Sequence, residues 1–404
     1  MKKSIALLLL AASAFGADTG ERLFADIGQI ESDLSSITGL PFTRKVPYAI
    51  IDRGQLRQFL EDRMKQSIKP EDIRADELTL KMLGLLPQDF DLRKSTVDLL
   101  TEQAAAFYDY HKKKLFILDN NGGTEAKFAL VHELAHALAD QHFRLDKYIH
   151  DGARSDDAQT ARMAVMEGQA SWLMSAYMSK QAGGPPDVPE AVLKLMASSL
   201  ESGADHYPVF SQAPLYIRES LVFPYAQGMV FQDAIFRKVG RSGFGQVFQD
   251  APVSTQQILH PEKYLEQAKP SLPPFPQSPA RKGFRTLAEG TLGELDYRVL
   301  LTEFIGKSEG ESMAAHLAGS VYQLREQKRD KSPVLAFAAL WDSPDSARQY
   351  FNLYREVLKK KWKKLEVQNQ VEGSIDGQGD SGYFHVWVDQ ATVNSVEGWQ
   401  TPLH

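Results

Sequence analysis

We expect a mixed α+β protein in two parts: a mainly helical N-terminal domain with a small sheet, then a smaller α+β domain. Three observations support this expectation. The 404 residues are too many for one ordinary core. Apolar residues recur at helical spacing through much of residues 17–268. Five prolines at 269–280 predict a stiff, extended linker, and the remaining residues, 281–404, mix strand and helix patterns.

The beginning of the first domain has a helical pattern. Apolar residues in 21–106 recur every three or four positions and form the apolar faces of two predicted helices. The first face contains Leu56, Phe59, Leu60 and Met64, and the second contains Leu78, Met82, Leu83 and Leu86. Pro70, followed by two acidic residues, predicts a helix start, and Pro87 predicts the end of that helix.

Residues 106–118 change to a β-hairpin pattern, with apolar segments on both sides of a polar turn. Thr124 then predicts the start of a helix that runs to about Gln141. Further helices are expected at 157–181, at 224–239 with Pro224 in its first turn, and after the capping residue Ser254 as far as His260.

The second domain is expected to contain strands at 297–304, 334–340 and 383–388 and a helix at 344–364. The glycine and aspartate residues at 376–380 predict a loop or a hairpin turn.

The N-terminus has the composition of a secretory signal. Two lysines precede a short apolar stretch, and small residues predict cleavage after Ala14 or Gly16. We therefore expect an exported protein, periplasmic or extracellular, with signal peptide 1–16; an uncut membrane anchor is the alternative. The chain has no cysteine, so disulfides are excluded, and no later segment is apolar enough to span a membrane. A net charge of −6 gives no basic footprint for nucleic acid.

The segment from Val131 to Leu138 contains the pattern His-Glu-x-x-His. On a helix, His132 and His136 lie on one face, one turn apart, where two imidazoles can bind one zinc ion. Glu133 is rotated toward the open side of the metal, where it can take a proton from the zinc-activated water. The alternative is a pair of core histidines beside a capping or salt-bridged glutamate.

A catalytic zinc needs a third protein ligand and an open fourth position. Glu167 is the best candidate, because a lone carboxylate in an apolar run is costly unless it is paired or coordinated. Gly168 and Ala170 would let its helix pack close to the helix of His132. A surface position for Glu167 is the alternative, and weaker rivals as ligands are His142, His150 and Asp157.

The run from His132 to Asp140 followed by Glu167 resembles the gluzincin zinc metallopeptidases, the thermolysin-like clan. The resemblance covers about residues 105–175, and more loosely 100–265 resembles uncharacterised exported bacterial and archaeal proteins with the same motif pair. It implies a zincin-like fold, Zn²⁺, a peptide or protein substrate and a hairpin strand that binds substrate along its edge. Thermolysin-like enzymes have an aspartate where this chain has Ser171, so we expect Asp140 or Asp157 to support the ligands instead.

The resemblance also implies a downstream histidine and a downstream tyrosine that stabilise the oxyanion. The candidates are His206, Tyr207, Tyr216, Tyr225 and His260. We favour His260 as the second catalytic residue beside Glu133, since a helix end before a proline presents the side chain outward. Capping of that helix is the alternative role.

The expected activity is zinc-dependent peptide hydrolysis, with Glu133 as general base and then acid. The alternatives are another zinc hydrolase, a peptidase limited to small peptides, an exported zinc-binding scaffold, and a latent enzyme in which residues 21–100 cover the cleft. The sequence identifies no partner for the C-terminal domain.

Overall fold

The computed structural model describes residues 26–67, 69–119, 124–150, 155–202, 207–276 and 283–402. The predicted signal peptide lies outside the described residues. The described part is a mixed α+β structure, as expected, and it holds a small sheet followed by a larger one. None of its helices combines the length and apolarity that crossing a bilayer requires.

Helices dominate the first part of the chain. They are α1 (Ile27–Thr38), α2 (Arg53–Ser67), α3 (Pro70–Leu83), α4 (Leu92–Gln103), α5 (Thr124–Phe143), α6 (Leu145–His150), α7 (Asp156–Gln181), α8 (Glu190–Ser202), α9 (Pro208–Ser211), α10 (Leu215–Val239), α11 (Gly243–Gln249), α12 (Thr255–Leu259) and α13 (Pro261–Leu265). A 3₁₀ turn at Gly240–Ser242 joins α10 to α11. The longest of these helices, α7 and α10, pack against each other, and α5 packs on α7.

The predicted hairpin is confirmed. Strands β2 (Ala106–Asp109) and β3 (Lys114–Leu118) pair antiparallel. The sequence did not predict β1 (Tyr48–Ile51), which pairs parallel with β3 on its other side. In this three-stranded sheet β2 is an edge strand, and it lies against α5.

The second part of the chain forms a seven-stranded antiparallel sheet in the order β4-β5-β6-β10-β9-β8-β7. Its strands are β4 (Phe284–Thr291), β5 (Leu317–Gln327), β6 (Pro333–Trp341), β7 (Glu366–Val371), β8 (Ser374–Gly379), β9 (Gly382–Asp389) and β10 (Thr392–Trp399). Its helices are α14 (Glu294–Phe304), α15 (Lys307–Ala314) and α16 (Pro344–Lys361). The predicted strands at 334–340 and 383–388 and the predicted helix at 344–364 correspond to β6, β9 and α16.

The two parts share one core. A single cluster of buried apolar residues includes Leu134 and Phe231 from the first part and Phe337 and Tyr354 from the second. The described portion of the proline-rich segment also contacts the larger sheet, because the Ser271 amide donates to the Ala318 carbonyl of β5. The division at 269–280 into two domains stays a prediction.

Two local predictions were wrong. Residues 297–304 form most of helix α14 and not a strand. Tyr297, Val299, Leu300 and Leu301 are buried, and the Gly293 amide donates to Asp296 at 2.8 Å, which caps a helix there. Residues 376–380 were expected to be a loop or hairpin turn, but 376–379 belong to strand β8 and pair with β9, and only Asp380 lies in the turn between the two strands.

The helix start predicted at Pro70 is confirmed, but the helix end predicted at Pro87 and the first-turn position predicted for Pro224 were wrong. The helix begun by Pro70 ends at Leu83, because Gly84 adopts a left-handed conformation (φ 88°) and its amide bonds to the last turn. Pro224 lies inside α10 and not in its first turn. An interior proline removes one helical hydrogen bond, and the packing of α10 along α7 offsets this cost.

Candidate metal centre

Helix α5 carries the His-Glu-x-x-His pattern in the interior of the protein. No glycine or proline interrupts it, and its apolar residues are buried on every side, which is typical of a helix that lies within a core. The side chains of His132, Glu133 and His136 are all at most 1% exposed. The predicted helix is therefore confirmed, and it holds both imidazoles one turn apart.

Glu167 on α7 meets the two histidines. Its Oε2 lies 3.2 Å from Nε2 of His132 and 3.4 Å from Nε2 of His136. Glu167 is itself 1% exposed, so it does not occupy a surface position. Of the rivals, His142 contacts the Pro41 carbonyl, and Asp157 accepts hydrogen bonds from Thr255.

These three side chains fit a bound metal ion. Potential ligand atoms of all three lie within 4.8 Å of one another. A tetrahedral ion about 2.1 Å from each donor separates the donors by about 3.4 Å, close to the two distances from Oε2 of Glu167. Nε2 of His136 and Oε1 of Glu167 are buried with no hydrogen-bond partner, and a cation would satisfy such groups. Two nitrogens and one carboxylate oxygen suit a divalent transition metal.

The protonation states also suit a metal. Burial lowers the pKa of His132 to about 4 and that of His136 to about 3. Both imidazoles are therefore neutral near neutral pH, which is the form that binds metal ions. Burial raises the pKa of Glu167, while interactions with His132 and Tyr225 oppose this shift.

Glu133 lies between the cluster and the edge of the small sheet. Its Oε2 accepts a hydrogen bond of 2.7 Å from the Tyr108 amide of β2, and its Oε1 is buried without a partner. Burial and the neighbouring charge of Glu167 raise the pKa of Glu133 well above its usual value. The strand that was expected to bind substrate along its edge thus uses one of its amides to hold Glu133.

The predicted support for the histidines is not observed. Asp140 accepts from the Tyr108 hydroxyl at 2.9 Å and pairs with Lys113 at 2.7 Å, so it ties α5 to the hairpin. Nδ1 of both His132 and His136 lacks a hydrogen-bond partner. Neither Asp140 nor Asp157 therefore orients an imidazole of the cluster.

The structure separates the candidates for oxyanion stabilisation. Tyr225 on α10 lies at the cluster, with its ring stacked 5.8 Å from that of His132. His260 instead contacts Glu294 at 2.9 Å and Glu262 at 3.7 Å. Tyr216 donates to Asp296, and His206 lies outside the described residues. The catalytic role of His260 stays a prediction.

A glycine contact sets the position of Glu167. A Cβ on Gly168 would lie 2.0 Å from the carbonyl carbon of Gly228, and one on Gly228 would lie 2.0 Å from the carbonyl oxygen of Ala164. The expectation that Gly168 faces the helix of His132 was wrong: it faces α10. This backbone contact brings Tyr225, one turn before Gly228, next to Glu167.

Sequence reasoning did not single out Tyr108. Its amide and hydroxyl join Glu133 and Asp140 to β2, and an amide contact of this kind leaves no signature in the sequence.

Comparisons with models of protein families, with curated proteins and with solved structures yield no match for this chain.

Proposed function

We propose that this protein is a zinc-dependent, gluzincin-like metallopeptidase. The observation that carries the proposal is the buried group of His132, His136 and Glu167, in which Oε2 of Glu167 lies 3.2 and 3.4 Å from the two Nε2 atoms, close to the donor spacing of about 3.4 Å around a tetrahedral ion. A zinc ion held by these three residues would act as a Lewis acid that polarises a peptide carbonyl and lowers the pKa of water.

Glu133 is the residue that would move the proton. The Tyr108 amide holds its Oε2, so Oε1 is the atom left to accept a proton from the attacking water. The raised pKa of Glu133 makes the protonated carboxyl easier to form, and Oε1 can then deliver the proton to the leaving amine. A site that only held a metal would need no carboxylate in this position.

One observation favours the second candidate, a latent protein or zinc-binding scaffold. The side chains of the site, His132, Glu133, His136 and Glu167, are all at most 1% exposed, so a polypeptide could reach them only after a rearrangement. Within 21–100, the described helix α3 does not fit a removable cover. Arg74 of α3 pairs with Glu326 of β5, and Lys361 of α16 donates to the Met82 carbonyl, so this segment belongs to the shared structure.

The test combines elemental analysis of the purified protein with cleavage of unfolded casein by wild type and Glu133→Gln. We expect one zinc per chain in both proteins, and in the variant a loss of cleavage of about 10²–10⁴-fold. Glu190→Gln, which changes an exposed carboxylate on α8, is the matched control and should cleave normally. Undiminished cleavage by Glu133→Gln would refute the mechanism, and zinc without cleavage would favour latency or a scaffold.

We further propose export through the signal peptide. N-terminal sequencing of the protein from the periplasm or the medium should find a chain that begins at Ala17 or at Phe15. A chain that keeps Met1 would exclude cleavage.

A further inference from the structure

The candidate metal centre lacks one form of support that metal sites usually have. Histidine ligands commonly donate their second ring nitrogen to a carboxylate or a carbonyl, which fixes the ring. In this protein Nδ1 of His132 and of His136 is buried and has no partner. Something other than a hydrogen bond to these nitrogens must therefore hold the donors in place.

Tyr225 contacts two of the three candidate ligands. Its ring lies over that of His132, with centroids 5.8 Å apart and planes inclined by 23°. Its hydroxyl is a hydrogen-bonding neighbour of the Glu167 carboxylate. One side chain thus restrains a ligand on α5 and a ligand on α7.

The backbone around Tyr225 is itself restrained. Tyr225 follows the interior proline of α10, and one turn later Gly228 touches the backbone of α7. Tyr225 also packs against a small apolar cluster that contains Leu60, Phe107 and Leu118. The ring therefore has little freedom to leave His132, and the hydroxyl stays beside Glu167.

We propose that Tyr225 is a positioning residue of the metal centre, whose hydroxyl orients Glu167 as the third ligand while its ring fixes His132. A carboxylate oxygen has more than one lone pair, so Glu167 can bind a metal ion and still accept a hydrogen bond from the hydroxyl. This role is distinct from contact with a substrate, and it rests on the proposed metal site.

The experiment measures the zinc dissociation constant by competition with a chelator. Tyr225→Phe keeps the ring and removes the hydroxyl. The matched control is Tyr216→Phe, which removes a hydroxyl that donates to the buried carboxylate of Asp296 from the same helix. We expect zinc affinity to fall about 10–100-fold in Tyr225→Phe and to stay within about twofold of wild type in Tyr216→Phe.

A second readout separates positioning from general loosening. The urea midpoint of the metal-free protein should stay near the wild-type value in Tyr225→Phe, whereas the bound cobalt(II) absorption spectrum should change in that variant alone. Wild-type zinc affinity in Tyr225→Phe, or an equal loss in Tyr216→Phe, overturns the inference. Zinc binding without peptide cleavage would remove the proposed function and leave this inference intact, whereas a wild-type protein that binds no zinc removes both.

Discussion

The contact between α7 and α10 makes a quantitative prediction. In Gly168→Ala the new Cβ would lie 2.0 Å from the Gly228 carbonyl carbon. Nonbonded carbon atoms rest about 3.5–4.0 Å apart, so the helices must separate by at least about 1.5 Å at this point. Overpacking of this kind costs about 1–3 kcal/mol of unfolding free energy. Because Glu167 is the adjacent residue, we also expect a large loss of zinc affinity.

Urea unfolding and chelator competition measure these two effects on the same samples. Gly28→Ala is the matched control, because no atom lies within 4 Å of the position of its new Cβ, in helix α1. Alanine is the better helix former, so the control should be unchanged or more stable by up to about 1 kcal/mol. Unfolding energy and zinc affinity in Gly168→Ala equal to those of wild type would show that the interhelical contact does not position Glu167.

Two further predictions concern buried charges in the second part of the chain. Lys361 and Glu397 pair at 2.7 Å with side chains 3% and 1% exposed, so Lys361→Met should cost about 3–5 kcal/mol in urea unfolding. A double variant with Glu397→Leu should recover most of this loss, and no recovery would contradict the reasoning. Burial would raise the pKa of Glu326, but Arg285 and Arg74 outweigh it and the pKa is lowered. The charged Glu326 therefore stabilises the fold above about pH 4.5, and this stabilisation is lost as the pH falls through the pKa of Glu326 in the folded protein. In Glu326→Gln the free energy of unfolding should therefore depend less steeply on pH on the acid side. An unchanged pH dependence would argue against this.

The elements with strong local patterns were predictable from the sequence. The hairpin, the helix of His132 and the helix of Glu167 each have a periodic apolar pattern and a recognisable start. The cluster could be predicted because the chemistry of a lone buried glutamate narrows the choice of a third ligand. The spacing of its donor atoms depends on tertiary packing and could not be predicted.

The remaining features depend on contacts between distant segments. β1 is only four residues long and half exposed, and it is defined by its pairing with β3, more than sixty residues later in the sequence. Strand β7 is exposed along its whole length, so its sequence has no apolar alternation. The position of Tyr225 follows from the contact between Gly168 and Gly228, and two isolated glycines in separate helices do not indicate that they touch.

The charge balance of the site argues for a metal that takes part in chemistry. Glu133 and Glu167 are buried near each other, and the pKa values of His132 and His136 keep both imidazoles neutral. Two buried carboxylates without a cation cost several kcal/mol each in their charged form. Lys113 of the adjacent hairpin does not neutralise these carboxylates, because it is paired with Asp140. A divalent ion among the three donors would balance the negative charges of both Glu133 and Glu167. A purely structural metal would account for the histidines and Glu167, but it would leave the unpartnered Oε1 of Glu133 unexplained, whereas the proposed proton transfer would give that atom a role.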